Sequence, residues 1–143
     1  MKSKHSGMYF SNLEWLKDVF KNEDVILADV AALEVLGLFS GYVNEEKIYV
    51  YAKQKGLYDN VDYTIIDDFD SVEYVTKNGI KCTSINQTFN DMLKNTDDIQ
   101  ALIEGLSNYY YENNETWNGL VIDDENLEKF KPLKEYAVDY FKG

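Results

Sequence analysis

The densest run of groups able to do chemistry is Asp67-Asp68-Phe69-Asp70, followed by Glu73, four carboxylates within seven residues. Oxygen ligands of this kind suit Mg²⁺ or Ca²⁺. The run lacks the glycine an EF-hand loop needs and the bidentate glutamate that closes one, and it lies between two stretches of strand character, where aspartate commonly forms turns. A solvated turn is the expectation, with no metal and no cofactor assigned.

Nucleotidyl transfer is suggested by Phe39-Ser40-Gly41 ahead of a β-rich stretch, but that chemistry holds two metal ions on strand carboxylates. Lys47-Ile48-Tyr49-Val50-Tyr51 carries none. Nucleophilic hydrolysis lacks its base, because the sole histidine, His5, sits near the N-terminus with no matched serine or cysteine. Cys82 is the only cysteine, which excludes an intrachain disulfide and a multi-cysteine zinc site. It reads as a half-buried packing residue. No phosphate-cradling glycine motif is present. The chain is therefore expected to bind and not to catalyse. Its second candidate surface is aromatic: Tyr109-Tyr110-Tyr111 with Trp117, residue types enriched at interface hot spots. Consecutive helical residues spread around the axis, so at least one of these tyrosines should be exposed.

Charge narrows the class of partner. Fourteen lysines and no arginine stand against 26 acidic residues, a net of −12. Such a chain repels phosphate backbones and lacks the guanidinium fork that reads them, so direct binding of nucleic acid is not expected. The imbalance is uneven. Residues 1–60 hold 7 lysines and 9 acids, whereas residues 61–143 hold 7 lysines and 17 acids. No stretch is long and apolar enough to cross a bilayer, and Met1–Phe10 has no apolar core of a secretory signal, so a cytoplasmic protein is expected.

The elements that must carry these residues follow from pattern. Ser11 and Glu14 form a capping box ahead of Leu13, Leu16, Val19 and Phe20, predicting a helix over 12–22. Val25-Ile26-Leu27-Ala28 leads, with no strand assigned, to Asp29 as N-cap of a second, buried helix that stops at Gly37. Strands are predicted over 47–53, 61–66 and 72–76. Asn78-Gly79 turns a type I′ hairpin into a return strand over 80–83. Ser84 and Gln87 box the next helix, to about Lys94; Thr96-Asp97-Asp98 opens another, to about 112. Trp117–Ile122 is a connector or short strand, and Asp123-Asp124 introduces a last helix containing Pro132. This order predicts one α+β (mixed α/β) domain over 1–143, with a small mixed or antiparallel sheet and its hairpin packed against several helices.

The succession of A-A-L-E-V-L-G-L (31–38), the strand I-Y-V-Y (48–51), a hairpin into N-G-I-K-C-T (78–83) and S-I-N-Q-T-F-N-D-M-L (84–93) resembles the C-terminal domain of AbiEi-type antitoxins. That family pairs an S-A-L-x-x-x-G-L helix with a later G-(I/V)-(K/R)-V-T-(S/D)-x-x-(R/Q)-T-(L/F)-x-D-(L/M)-L motif. Gly79, Lys81, Thr83, Gln87, Thr88, Asp91 and Leu93 fit the second pattern. The likeness spans about residues 25–95, and the helical part from about 97 to 143 lies beyond it. It implies a protein that neutralises a nucleotidyltransferase-type toxin. Only 24 residues precede the likeness, and the basic charge of the family's DNA-binding winged helix is missing, so repression of transcription is not expected. Candidate partner contacts are Asp67, Asp68, Asp70, Glu73, Asp91, Tyr109, Tyr111 and Trp117. The alternative is an acidic nucleic-acid mimic from a mobile element, aimed at a defence nuclease or another DNA-binding protein.

Overall fold

The computed structural model describes residues 16, 18, 20, 21, 23–39, 47–96 and 98–140. Most of the helix expected over 12–22 lies outside those residues, as do Ser40 and Gly41. Of its apolar positions, Leu16 and Phe20 are described, and both are buried. A five-stranded mixed sheet and four helices make up the described fold. The strands are β1 (Val25–Leu27), β2 (Ile48–Ala52), β3 (Val61–Ile65), β4 (Tyr74–Lys77) and β5 (Ile80–Thr83). The helices are α1 (Asp29–Val35), α2 (Ile85–Asn95), α3 (Ile99–Glu112) and α4 (Leu127–Asp139).

The sheet order is β3-β2-β1-β5-β4, so the unassigned Val25–Leu27 is its central strand. Three residues are too few to show alternation. All three are buried, because the strand lies between neighbours in a sheet covered on both faces. β1 runs antiparallel to β2 and parallel to β5; β2 and β3 are parallel; β4 and β5 form the expected hairpin. Asn78 and Gly79 sit at φ 55° and 79°, the left-handed pair that a type I′ turn demands.

Asp29 is not the N-cap. Ala28 donates to the Tyr49 carbonyl at 3.0 Å, which holds the chain in the sheet up to that residue and leaves no loop for a cap. Ala28 takes the cap position, and the chain enters α1 through Asp29 at φ 56°, with the carboxylate of Asp29 accepting from Val30 N–H at 3.0 Å. Aspartate is among the few residues that tolerate this region. At the far end Gly37 (φ 78°) donates to Glu34 O and Leu38 donates to Leu33 O, a Schellman closure.

Alternation along the strands separates two faces. Ile48, Val50, Ala52, Ile80 and Cys82 pack beneath α1, joined by Ala31, Ala32 and Val35. Leu33 points from α1 the other way, into a second core with Phe89, Met92, Leu102, Leu106 and Phe130 from the remaining helices. α1 is thus the shared layer between sheet and helices. Cys82 is fully buried rather than half-buried, and burial pushes its thiol up to about 11.

β3 and β4 point the same way, so the 66–73 connection must cross the sheet on the face opposite α1. Ile26, on that face, is fully buried, and Phe69 and Val72 of the crossing segment are buried too. The ammonium groups of Lys53 and Lys81 lie 5.2 and 5.5 Å from the Phe69 ring centre, which pins the crossing on both sides.

Candidate functional site

The Asp67–Glu73 run is this crossing segment. Phe69–Ser71 form a single 3-10 turn capped by Asp68, whose carboxylate accepts from Asp70 N–H at 3.0 Å while Ser71 Oγ donates to Asp68 O at 2.7 Å. Phe69 is buried as the anchor; Asp67, Asp68, Asp70 and Glu73 are exposed around it. The expected solvated turn is what forms. Among the described residues, no three His, Cys, Asp or Glu side chains are placed to hold a metal ion.

Glu73 ends the segment and ties it to α2. Ser84 Oγ donates to Glu73 Oε1 and accepts from Gln87 N–H, the expected cap. The second arm of the box departs from expectation. Gln87 Oε1 accepts from Glu73 N–H at 3.1 Å, because Ser84 N–H is already given to Glu73 O. The amide of Gln87 then donates to Asp91 Oδ1 at 2.9 Å, and Tyr51 from β2 donates to Asp91 Oδ2 at 2.7 Å. One polar chain therefore runs from the crossing segment, along α2, to the sheet. Thr83 and Thr88 close it from below, buried with hydroxyls 2.5 Å apart.

Two open clefts flank this chain. One, of about 380 Å³, has Tyr49, Tyr51, Asp62 and Thr64 of the sheet as its floor and Asp29, Asp91, Lys94 and Asn95 among its walls. The other, of about 330 Å³, lies between Glu73, the Gln87–Asp91–Lys94 ridge of α2, and Val121 and Asp123. Gln87, Asp91 and Lys94 recur at i, i+4 and i+7 and so share one helix face. Burial raises the Asp91 carboxyl above its ordinary value, and its bonds from Tyr51 and Gln87 pull it partly back. Burial and then the Asp91 bond push the Tyr51 phenol up, so that hydroxyl stays a donor. Lys94 is paired with Glu125 at 2.8 Å.

Tyr109, Tyr111 and Trp117 lie elsewhere, on the helical side. None of the three consecutive tyrosines is exposed, contrary to the expectation from helical arc. The connector after α3 folds back over them. Trp117 stacks on Tyr109 and lies against Tyr110 and Phe130, with ring centres 6.4, 4.9 and 5.6 Å apart. Tyr109 donates to Asn118 O and Tyr111 to Val138 O on α4. These aromatics close the helical layer, and each is only partly exposed.

The acidic and aromatic candidates therefore occupy two places, and Glu73 and Asp91 are the pair brought together. Tyr51, Asp62 and Lys94 are the site residues that sequence reading missed. Period two in I-Y-V-Y-A does place Tyr49 and Tyr51 on the face away from the apolar core, the one signal that pointed to this floor. Asn90 was also missed: from the buried side of α2 it donates to Val121 O and accepts from Asp123 N–H, fixing the wall of the second cleft.

Chemically, this surface presents carboxylates and carbonyl-type acceptors with one committed lysine. It favours donor-rich, cationic groups. No protein-family model matches the chain, and no curated protein sequence matches it. No helix among the described residues is long and apolar enough to cross a membrane.

Proposed function

We propose that this chain is a non-catalytic protein-binding domain, an AbiEi-like antitoxin that neutralises a nucleotidyltransferase-type toxin. The observation that carries the reading is the polar chain from Glu73 through Gln87 to Asp91, since it joins motif positions of the resemblance to the exposed carboxylates Asp67, Asp68 and Asp70 on one acidic surface. Thr83, Gln87, Thr88 and Asp91 serve that surface by anchoring α2 to the sheet and the crossing segment. The partner surface that fits is basic, and enzymes that bind nucleotides and nucleic acid commonly present one.

Co-expression with the nucleotidyltransferase-type protein encoded beside this chain tests the reading. Growth restored by the native chain, and not by one with Asp67, Asp68, Asp70 and Glu73 all changed to lysine, is the expected result; toxicity that persists with the native chain refutes it. The same carboxylates suit a nucleic-acid mimic. Binding to a DNA-binding defence nuclease that collapses with added salt, in a chain that leaves the toxin active, favours that second reading.

A further inference from the structure

We propose that the outer edge of β4 pairs with the same strand of a second copy of this chain, antiparallel about a two-fold axis at Val75, so that two five-stranded sheets join into one. The inference goes beyond the antitoxin reading and does not rest on it.

β4 is a terminal strand of the sheet, and no described strand pairs with its outer side. Its register sets Tyr74 opposite Thr83 and Lys77 opposite Ile80, and one step further along Glu73 O accepts from Ser84 N–H at 3.0 Å. The odd-numbered residues therefore give their backbone groups to β5, and Tyr74 and Thr76 turn theirs outward. Residues directly opposite one another share a face of the sheet. Val75 and Lys77 lie opposite Cys82 and Ile80, so Glu73, Val75 and Lys77 form a row on the face that carries α1. All three are exposed, Val75 at 38%.

A lysine on an edge strand ordinarily deters pairing. Here the row is its own complement, because Glu73 and Lys77 stand symmetrically about Val75. Two-fold pairing of the outward groups can be centred on Tyr74, Val75 or Thr76. Centred on Val75, Glu73 faces Lys77 of the second copy at both ends, Val75 packs on Val75, and Tyr74 and Thr76 exchange backbone hydrogen bonds across the axis. These odd-numbered positions become the non-hydrogen-bonded pairs, in which side chains approach more closely. Centred on Tyr74, Lys77 would face Ser71; centred on Thr76, it would face Val75. Only the Val75 axis matches charge with charge.

Both charges are available. Lys77 has no ion-pair partner among the described residues, and Glu73 uses Oε1 for Ser84, which leaves Oε2. Lys81, the neighbouring cation, is paired with Asp24 at 2.7 Å. The wider charge pattern favours the same occupant. Residues 71–90 hold one acid and two lysines in a chain of net charge −12, so the acid excess lapses at this hairpin. Asp67, Asp68 and Asp70 belong to the segment that crosses the opposite face. Repulsion between exposed acids more than about 8 Å apart is largely screened at physiological ionic strength. A foreign strand of one sign meets a like charge at one end of the row; a second copy meets none. In the joined sheet both crossing segments lie on one side, so the two acidic surfaces face the same way.

Sedimentation equilibrium of the whole chain tests the pairing. A concentration-dependent dimer is expected, with slowed amide exchange at Tyr74 and Thr76 as it forms. Glu73→Lys or Lys77→Glu alone sets like charges together at both ends and should weaken the dimer about tenfold. Mixed in equal amounts, the two variants should associate again as a heterodimer, since every lysine of the row then meets a carboxylate. Thr76→Pro, which removes an outward donor and leaves the β5 ladder intact, should give a folded monomer. It decides the edge if Glu73→Lys, which loses the Ser84 bond, fails to fold. A native chain that stays monomeric up to about 1 mM, the weak end of measurable association, overturns the proposal. So does a dimer whose protected amides lie away from β4, folded variants that dimerise as the native chain does, or mixed charge variants that stay apart. Asp67, Asp68 and Asp70 are untouched in every variant, so loss of the dimer and loss of toxin binding are read separately.

Discussion

The Tyr51 hydroxyl on β2 donates to the Asp91 carboxylate on α2 over 2.7 Å, between residues 40 apart in sequence. The bond fixes α2 relative to the sheet and places Asp91 between two clefts.

Removing the Tyr51 hydroxyl leaves one oxygen of a half-buried carboxylate without its donor. Tyr51→Phe should therefore destabilise the fold by about 1–2 kcal/mol, read as a lowered urea midpoint with an unchanged slope. The sign of the pH effect follows from burial, which raises the folded-state pKa of Asp91 above that of the unfolded chain. The folded state then binds the proton more tightly. This residue's contribution is fully present below the ordinary aspartate range and is lost as pH rises through the folded value. Asp91→Asn, which cannot ionise, should lose less stability than the native chain across that window. Parallel urea titrations at several pH values between acid and neutral check it, and identical pH profiles would contradict the assignment.

Gly105 lets α3 approach α1 and α2. A Cβ there would meet Leu33 Cδ1 at 3.0 Å, Leu33 Cδ2 at 3.2 Å and Phe89 Cε1 at 3.3 Å. Leu33 and Phe89 are fully buried and have little room to yield. Alanine gains about 1 kcal/mol of helix propensity, but over-packing of this kind costs about 1–3 kcal/mol. Gly105→Ala should lower the thermal midpoint in spite of the better helix former.

Asn90 is buried on α2 and holds the 121–126 stretch. Its amide donates to Asn86 O and Val121 O, both at 2.9 Å, and its oxygen accepts from Asp123 N–H at 2.8 Å and Asn126 Nδ2 at 3.0 Å. Asn126 is 2% exposed, and without this side chain its buried amide keeps only the 3.2 Å bond to the Asn90 backbone carbonyl, while Asp123 N–H loses its acceptor. Asn90→Ala should cost roughly 2–4 kcal/mol, measured by urea unfolding, and speed amide exchange at Val121 and Asp123.

Local chemistry made much of the fold legible in sequence. The I-Y-V-Y-A alternation, the Asn78-Gly79 turn and the Ser84 cap each act within a few residues, and each appears where its pattern put it. β1 was hidden because Val25–Leu27 becomes a strand only through partners at 50–52 and 82. Asp29 was misassigned for the same reason, since the sheet bond at Ala28 sets where α1 begins. Helical arc alone leaves at least one of the three tyrosines exposed, and Trp117, a loop away, packs against Tyr109 and Tyr110 instead. In the candidate site, Glu73 and Asp91 could be named from sequence, but their connection through Gln87 and Tyr51 depends on which way the crossing segment passes over the sheet. No local pattern records that.

The central claim is that the acidic surface from Asp67 to Asp91 binds a nucleotidyltransferase-type toxin. Calorimetric titration of the neighbouring gene's purified product with this chain tests it most directly. The account predicts saturable binding that silences nucleotidyl transfer, weakens with added salt, and is lost when Asp67, Asp68, Asp70 and Glu73 are changed to lysine. No heat of binding with the native chain, or equal affinity in the lysine variant, would contradict it.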